Sequence, residues 1–160
     1  MPTVATIGVY GFTADGFLRM LEEERVRVLL DVRQRRGVRG SEYAWANAQR
    51  LQAALAVAGV EYRHHKELAP TTELRQLQYA EDARSGVGKR SRVRLAPEYV
   101  DRYTREILDH ADLEPIARAL PSDGVGALLC VERDPEACHR SLIAERLAAL
   151  HGVRVQHLRP

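Results

Sequence analysis

Val125-Gly-Ala-Leu-Leu-Cys-Val131 runs directly into Glu132-Arg-Asp-Pro-Glu-Ala-Cys-His-Arg-Ser141, and this junction decides the fold. The apolar run shows no alternation, so it reads as a strand buried on both faces. Asp134 and Pro135 suit the start of a helix, as N-cap and first helical residue. That helix reaches His151 and is stopped by Gly152. A second register places the helix start at Ser141, after a separate turn that holds Cys138. Either way Cys138 falls at or near a helix N-terminus.

Working outward, the same alternation of elements repeats. Val4 to Gly8 predicts a strand, and Phe12 to Arg25 a helix carrying Phe17, Leu18 and Leu21 at helical spacing. Val26 to Val32 is a second apolar strand, followed by an Arg- and Gly-rich loop from Gln34 to Tyr43. Ala44 to Ala58 predicts a helix ended by Gly59, and Val60 to His64 a third strand. Thr71 or Thr72 caps a helix to about Arg84, and Ser85 to Ser91 is a loop. Helices follow at Pro97 to His110 and Leu113 to Leu120, and Val153 to His157 is the last strand. Strands alternating with helices predict an α/β fold, a three-layer α/β/α sandwich on a mainly parallel, Rossmann-like sheet of about five strands. The expected strand order is 3-2-1-4-5, which puts the first and fourth strands together at the switch point. No repeat or linker interrupts residues 1–160, so one domain is expected.

Composition narrows the setting. An apolar fraction of 45% supports a core, and a net charge of +2 provides no whole-molecule field for nucleic acid or membrane. Only Lys66 and Lys89 among the 24 basic residues are lysine. Met1 to Val9 has no basic start and too short an apolar stretch for a secretory leader. With two cysteines and no membrane-spanning run, a cytoplasmic protein with reduced thiols is expected.

In a parallel sheet all strand C-termini share one edge. That edge should collect Tyr10, Asp31, Arg33, one of His64 and His65, Cys130, Glu132 and His157, each following an apolar run. Asp31 and Arg33 stand two apart, as do Cys130 and Glu132, so each pair shares a face. Two readings fit the charges. In one, Asp31 and Glu132 form ion pairs that fasten strands to the last helix. In the other, Arg33 and Arg140 hold an anion with their planar forks while the carboxylates orient them.

Cys138, at a helix start beside His139 and Arg140, is the better candidate for a reactive thiol, with Cys130 the more core-like. Three chemistries compete. Cys138 can act as a nucleophile with Glu132 or His139 handling protons, although neighbours on a helix diverge by about 100°. The two cysteines can form a reversible disulfide, making a thiol redox sensor. Metal binding is not expected, because the interval between the cysteines matches no standard zinc spacing. Two basic clusters flank the site segments: Arg33, Arg35, Arg36 and Arg39 near Tyr43 and Trp45, and Arg84, Lys89, Arg90, Arg92 and Arg94. They are solvated loops or nucleic-acid contacts.

The stretches Thr6-Ile-Gly8, Leu30-Asp-Val-Arg33, Gly59-Val-Glu-Tyr62, Cys130-Val-Glu132 and Cys138-His-Arg-Ser141, in this order and spacing, resemble domain of unknown function 488. This is a family of small bacterial and archaeal α/β proteins. The resemblance covers nearly the whole chain and implies the fold and the site location; it implies no activity. The family's loop after Asp-Val-Arg usually carries Pro and Ser, where this chain has Arg36 and Val38.

The sequence therefore points to a binder of a small anionic ligand, phosphate- or nucleotide-bearing, at the strand C-termini. Cys138 and Glu132 are the candidate catalytic residues. Asp31, Arg33, Arg140, Cys130, Tyr10 and His64 are the candidate ligand contacts. A nucleic-acid-associated binding protein without catalysis is the alternative from another class. Cofactor, reaction and oligomeric state are left open.

Overall fold

The computed structural model describes residues 2–160. The apolar runs form strands β1 (Thr3–Ile7), β2 (Val26–Asp31), β3 (Glu61–His64), β4 (Val125–Leu129) and β5 (Arg154–Leu158). Between them lie helices α1 (Ala14–Glu23), α2 (Ala48–Ala58), α3 (Thr72–Arg84), α4 (Pro97–Glu106), α5 (Glu114–Ala119) and α6 (His139–His151). Short 3-10 helices cover Ser41–Ala46, Lys66–Leu68, Leu108–His110 and Pro135–Ala137. Local chemistry sets several of these ends. Thr71 caps α3 by accepting a hydrogen bond from the Leu74 amide, and Gly59 ends α2 in the left-handed region at φ 75°.

All strand pairs are parallel, and the order is β3-β2-β4-β1-β5. The expected order 3-2-1-4-5 is therefore wrong: β4 lies between β2 and β1, and β5 pairs with β1 rather than β4. Burial explains the placement. The central strands β1, β2 and β4 are almost continuously buried, whereas β3 alternates and β5 is largely half-exposed, as edge strands do. Hydrophobicity separates centre from edge but does not rank the three central strands.

Handedness assigns the layers. From β1 the chain moves one way across the sheet to β2 and β3; from β3 it reverses to β4 and then β5. Right-handed crossovers then put α1 and α2 on one face and α3 to α6 on the other. The packing agrees: α1 meets β2 and α2, α2 meets β3, and α6 lies over β1, β4 and β5 with α4 and α5 against it. β1 and β4 are neighbours, and the chain leaves their C-terminal ends for opposite faces through α1 and α6, so these two strands flank a switch point. Among the described residues no helix is long and apolar enough to cross a membrane.

Three predicted helices differ from their patterns, one being Pro97 to His110, which breaks at Ile107 (φ −120°) into α4 and a 3-10 helix. The segment from Ala44 splits into a 3-10 helix and α2, because Asn47 is extended and its side chain accepts a hydrogen bond from the Val38 amide at 2.7 Å. Neither predicted register of the last helix is right. Pro135–Ala137 forms a 3-10 turn, Cys138 is the extended N-cap (φ −141°, ψ 146°), and α6 begins at His139.

Beyond β1 and β4 the two loops lie in direct contact. Val9 and Tyr10 donate their amides to the Val131 carbonyl at 2.9 and 3.0 Å. A Cβ on Gly8 would fall 2.0 Å from the Glu132 carbonyl oxygen, so only glycine fits there. Gly8→Ala should therefore force the two loops apart and destabilise the protein by about 3 kcal/mol. Urea denaturation checks this; an unchanged midpoint would contradict the close approach.

Candidate functional site

The ends of β4 and α6 bring three soft or basic groups together. Cys130 follows β4, Cys138 caps α6, and His139 opens it. The His139 Nδ1 lies 3.8 Å from Cys130 Sγ and 3.7 Å from Cys138 Sγ. Its Nε2 is 2.9 Å from the Val32 carbonyl oxygen. A carbonyl only accepts, so Nε2 carries the proton and donates it. The expectation that Cys138 and His139 diverge is corrected here: Cys138 is extended, not helical, and its side chain turns back toward the ring.

All three groups are buried, which sets their electrostatics. Burial pushes the Cys130 thiol well above its usual range, as does the hydrogen bond it shares with Cys138. Burial alone would also raise Cys138. The bond from Cys130, together with the charges of His139 and Arg140, outweighs burial and holds Cys138 well below the usual thiol range. Burial opposes a charge on His139, yet the facing Cys138 raises its pKa.

Glu132 stands on the same loop. Its Oε1 accepts a hydrogen bond from Arg92 Nη1 at 3.2 Å, while its buried Oε2 has no partner among the described residues. Burial and the nearby Cys138 push its carboxyl up, against the pull of Lys89 and Arg92. Arg92 ties this loop to α3: its Nε and Nη2 donate to Asp82, and its Nη1 also reaches the Ala137 carbonyl. Asp82 accepts a further bond from Gln78, whose Oε1 accepts from the Ala96 amide at 2.8 Å.

Asp31 and Arg33 form a fully buried pair. The Arg33 Nε and Nη2 meet the two carboxylate oxygens at 2.9 and 2.8 Å, and Nη1 donates to the Ala46 carbonyl. Tyr62 donates to Asp31 Oδ2 at 2.6 Å. The carboxylate thus fastens β2 to β3, and Arg33 fastens the pair to the segment before α2. Arg140 is equally enclosed, donating to the carbonyls of Glu132 and Arg133 at 2.7 and 3.2 Å.

Above these groups opens a cavity of about 670 Å³. Cys130, Glu132, Cys138 and His139 lie at its base, and Tyr10, Arg33, Arg35, Arg39, Arg75, Tyr79, Lys89, Arg90 and Arg92 form its walls. The guanidinium of Arg90 lies over Tyr10 and Tyr43, 5.2 and 5.1 Å from the ring centres, and pairs with Glu42. Burial works against the charge of Lys89, but the facing Glu132 raises its pKa and keeps it cationic.

The expected site residues thus divide. Cys130, Glu132, Cys138, Arg33 and Tyr10 line the cavity. Asp31 stands behind Arg33, and His64 bonds to the Arg33 carbonyl at 3.0 Å, neither among the lining residues. Arg140 is likewise outside the lining, so it does not share a cavity face with Arg33. The second basic cluster contributes Lys89, Arg90 and Arg92 to the same cavity as the first. Sequence reasoning missed Gln78 and Asp82; their only signal in the chain is the four-residue spacing on a predicted helix, and the structure shows both buried. Trp45 packs on Phe17 with ring centres 4.9 Å apart, a core contact rather than a base-stacking platform.

The buried pair yields a stability prediction. Asp31→Ala leaves Arg33 enclosed without its counter-charge and should cost about 3–5 kcal/mol in denaturant unfolding. Adding Arg33→Met should recover much of that loss. A single variant as stable as wild type would contradict the assignment.

The sequence profile of the family described as Domain of unknown function DUF488 matches residues 13–147. No curated protein and no solved structure gives a significant match to the chain. The matched stretch runs from the N-cap of α1 into α6 and contains Asp31, Arg33, both basic segments and the whole turn from Cys130 to Ser141. The chain belongs to the DUF488 family.

Proposed function

We propose that this protein binds a small phosphate-bearing anion, nucleotides included, in the cavity at the strand C-termini. The observation that carries this reading is the set of cations on the cavity wall. Arg33 and Arg92 are neutralised by buried carboxylates, and Arg90 by Glu42. Arg35, Arg39, Arg75 and Lys89 line the cavity with no ion pair among the described residues, Arg75 being bonded only to the neutral Gln34 and Tyr79. Four uncompensated cations around one concavity favour an anion with several acceptor oxygens. The volume of about 670 Å³ is within the range of small-molecule sites.

Chemistry is assigned to the base of the cavity. The Cys138 sulfur is the nucleophile, flanked by Cys130 and His139, and the free Oε2 of Glu132 is the group placed to exchange a proton with the ligand. The small-ligand reading is preferred to nucleic-acid binding because both basic segments turn toward a cavity instead of spreading over an open face.

The test is calorimetric titration of reduced, chelator-treated protein with inorganic phosphate, pyrophosphate and a nucleoside diphosphate. At least one should bind, and Lys89→Gln or Arg39→Gln should weaken it about tenfold or more. Cys138→Ala should retain binding. No binding to wild type, or equal binding by the charge variants, would overturn the proposal. Micromolar oligonucleotide binding whose salt slope falls by about 0.7–0.9 per arginine removed at Arg35 or Arg39 would assign the surface to nucleic acid instead.

A further inference from the structure

Outside the anion contacts, one cluster has a geometry that the ligand reading does not require. Cys130 Sγ, Cys138 Sγ and His139 Nδ1 all lie within 4.8 Å of one another, with both sulfur–nitrogen separations at 3.7–3.8 Å. Tetrahedral zinc, with Zn–S about 2.3 Å and Zn–N about 2.0 Å, needs ligand atoms roughly 3.5–3.8 Å apart. Both nitrogen–sulfur separations already match this spacing. We propose that Cys130, Cys138 and His139 form a site for a thiophilic divalent cation, with its fourth position facing the cavity.

Two independent features support it. The first is the orientation of His139. Its Nε2–H is fixed on the Val32 carbonyl at 2.9 Å, so in the neutral ring the Nδ1 lone pair points at both sulfurs. Metal-binding histidines are held in this way, by donating the other ring N–H to a carbonyl or carboxylate. The second is Glu132. Its side chain is 9% exposed, lines the same cavity, and carries the only buried carboxylate oxygen without a partner among the described residues. A water on the metal's open position is the partner that oxygen lacks.

The spacing rule argued against a metal because it assumes ligands on one short knuckle. Here Cys130 ends a strand and Cys138 begins a helix, and the Pro135–Ala137 turn closes the distance between them. Ligand choice favours zinc over magnesium or calcium, which prefer oxygen. Loading converts Cys138 from a free nucleophile to a ligand, so the cation also masks the thiol. Any proton displaced from the three ligand atoms on binding passes to solvent, and no electrons are transferred.

The experiment is titration of reduced, phosphate-free protein with cobalt(II), followed by displacement with zinc. One equivalent should bind and give the absorption of tetrahedral cobalt with a thiolate charge-transfer band. Zinc should abolish that spectrum and protect Cys138 from iodoacetamide. Cys130→Ser and His139→Gln should each weaken binding about 100-fold. Absence of the thiolate band in wild type overturns the proposal without reference to any variant. So does stoichiometric binding that survives Cys130→Ser combined with Cys138→Ser. Because phosphate is absent here and metal is absent from the anion titration, either reading can fail alone.

Discussion

The contact between the β1 and β4 loops is the constraint on which the site depends. Gly8 has no side chain, and the Glu132 carbonyl occupies the space a Cβ would need. Arg140, reaching back from α6, donates to that same carbonyl at 2.7 Å and to the next one in the chain. One end of the clamp is steric and the other is a charge-assisted hydrogen bond. Together they fold the segment from Cys130 to Cys138 across the switch point. That fold brings both cysteine sulfurs to the Nδ1 of His139 and leaves Glu132 beside them in the cavity lining. Arg140 therefore acts through the backbone it holds, which explains why so buried a cation stands apart from the cavity wall.

Charge is arranged in two tiers around this turn. The inner cations are neutralised: Arg33 by Asp31, and Arg92 by Asp82 with Glu132. Buried pairs of this kind add little net stability over apolar packing, but removing one partner is costly, so they hold geometry. The outer cations Arg35, Arg39, Arg75 and Lys89 remain uncompensated at the cavity. The inner tier fixes the walls, and in the proposed function the outer tier attracts the anion. The low net charge of +2 is compatible with this, because the field is local to one concavity.

Much of this was legible in the chain. Apolar runs ending in polar residues located five strands and the sheet edge, and Thr71 and Gly59 marked helix ends through ordinary capping chemistry. That the segment after β4 reaches the cavity at the sheet edge was legible too, because a parallel sheet collects its strand ends. Strand order was not, since β1, β2 and β4 are all buried on both faces and their sequences do not say which neighbours which. The convergence of the two basic segments was equally hidden. It depends on the loop after α3 folding back, through Arg92 and Asp82, onto a turn forty residues later in sequence. The proximity of Cys138 and His139 escaped because a helical spacing rule was applied to a residue that is extended.

The central claim is that the cavity above Cys138 receives an anion held by Lys89, Arg35 and Arg39. A crystal structure of the reduced protein soaked with pyrophosphate tests it most directly. The account predicts pyrophosphate density within hydrogen-bond distance of Lys89 and at least one of the two arginines, above the Cys138 sulfur. Density at another surface, with this cavity holding only solvent, would contradict it.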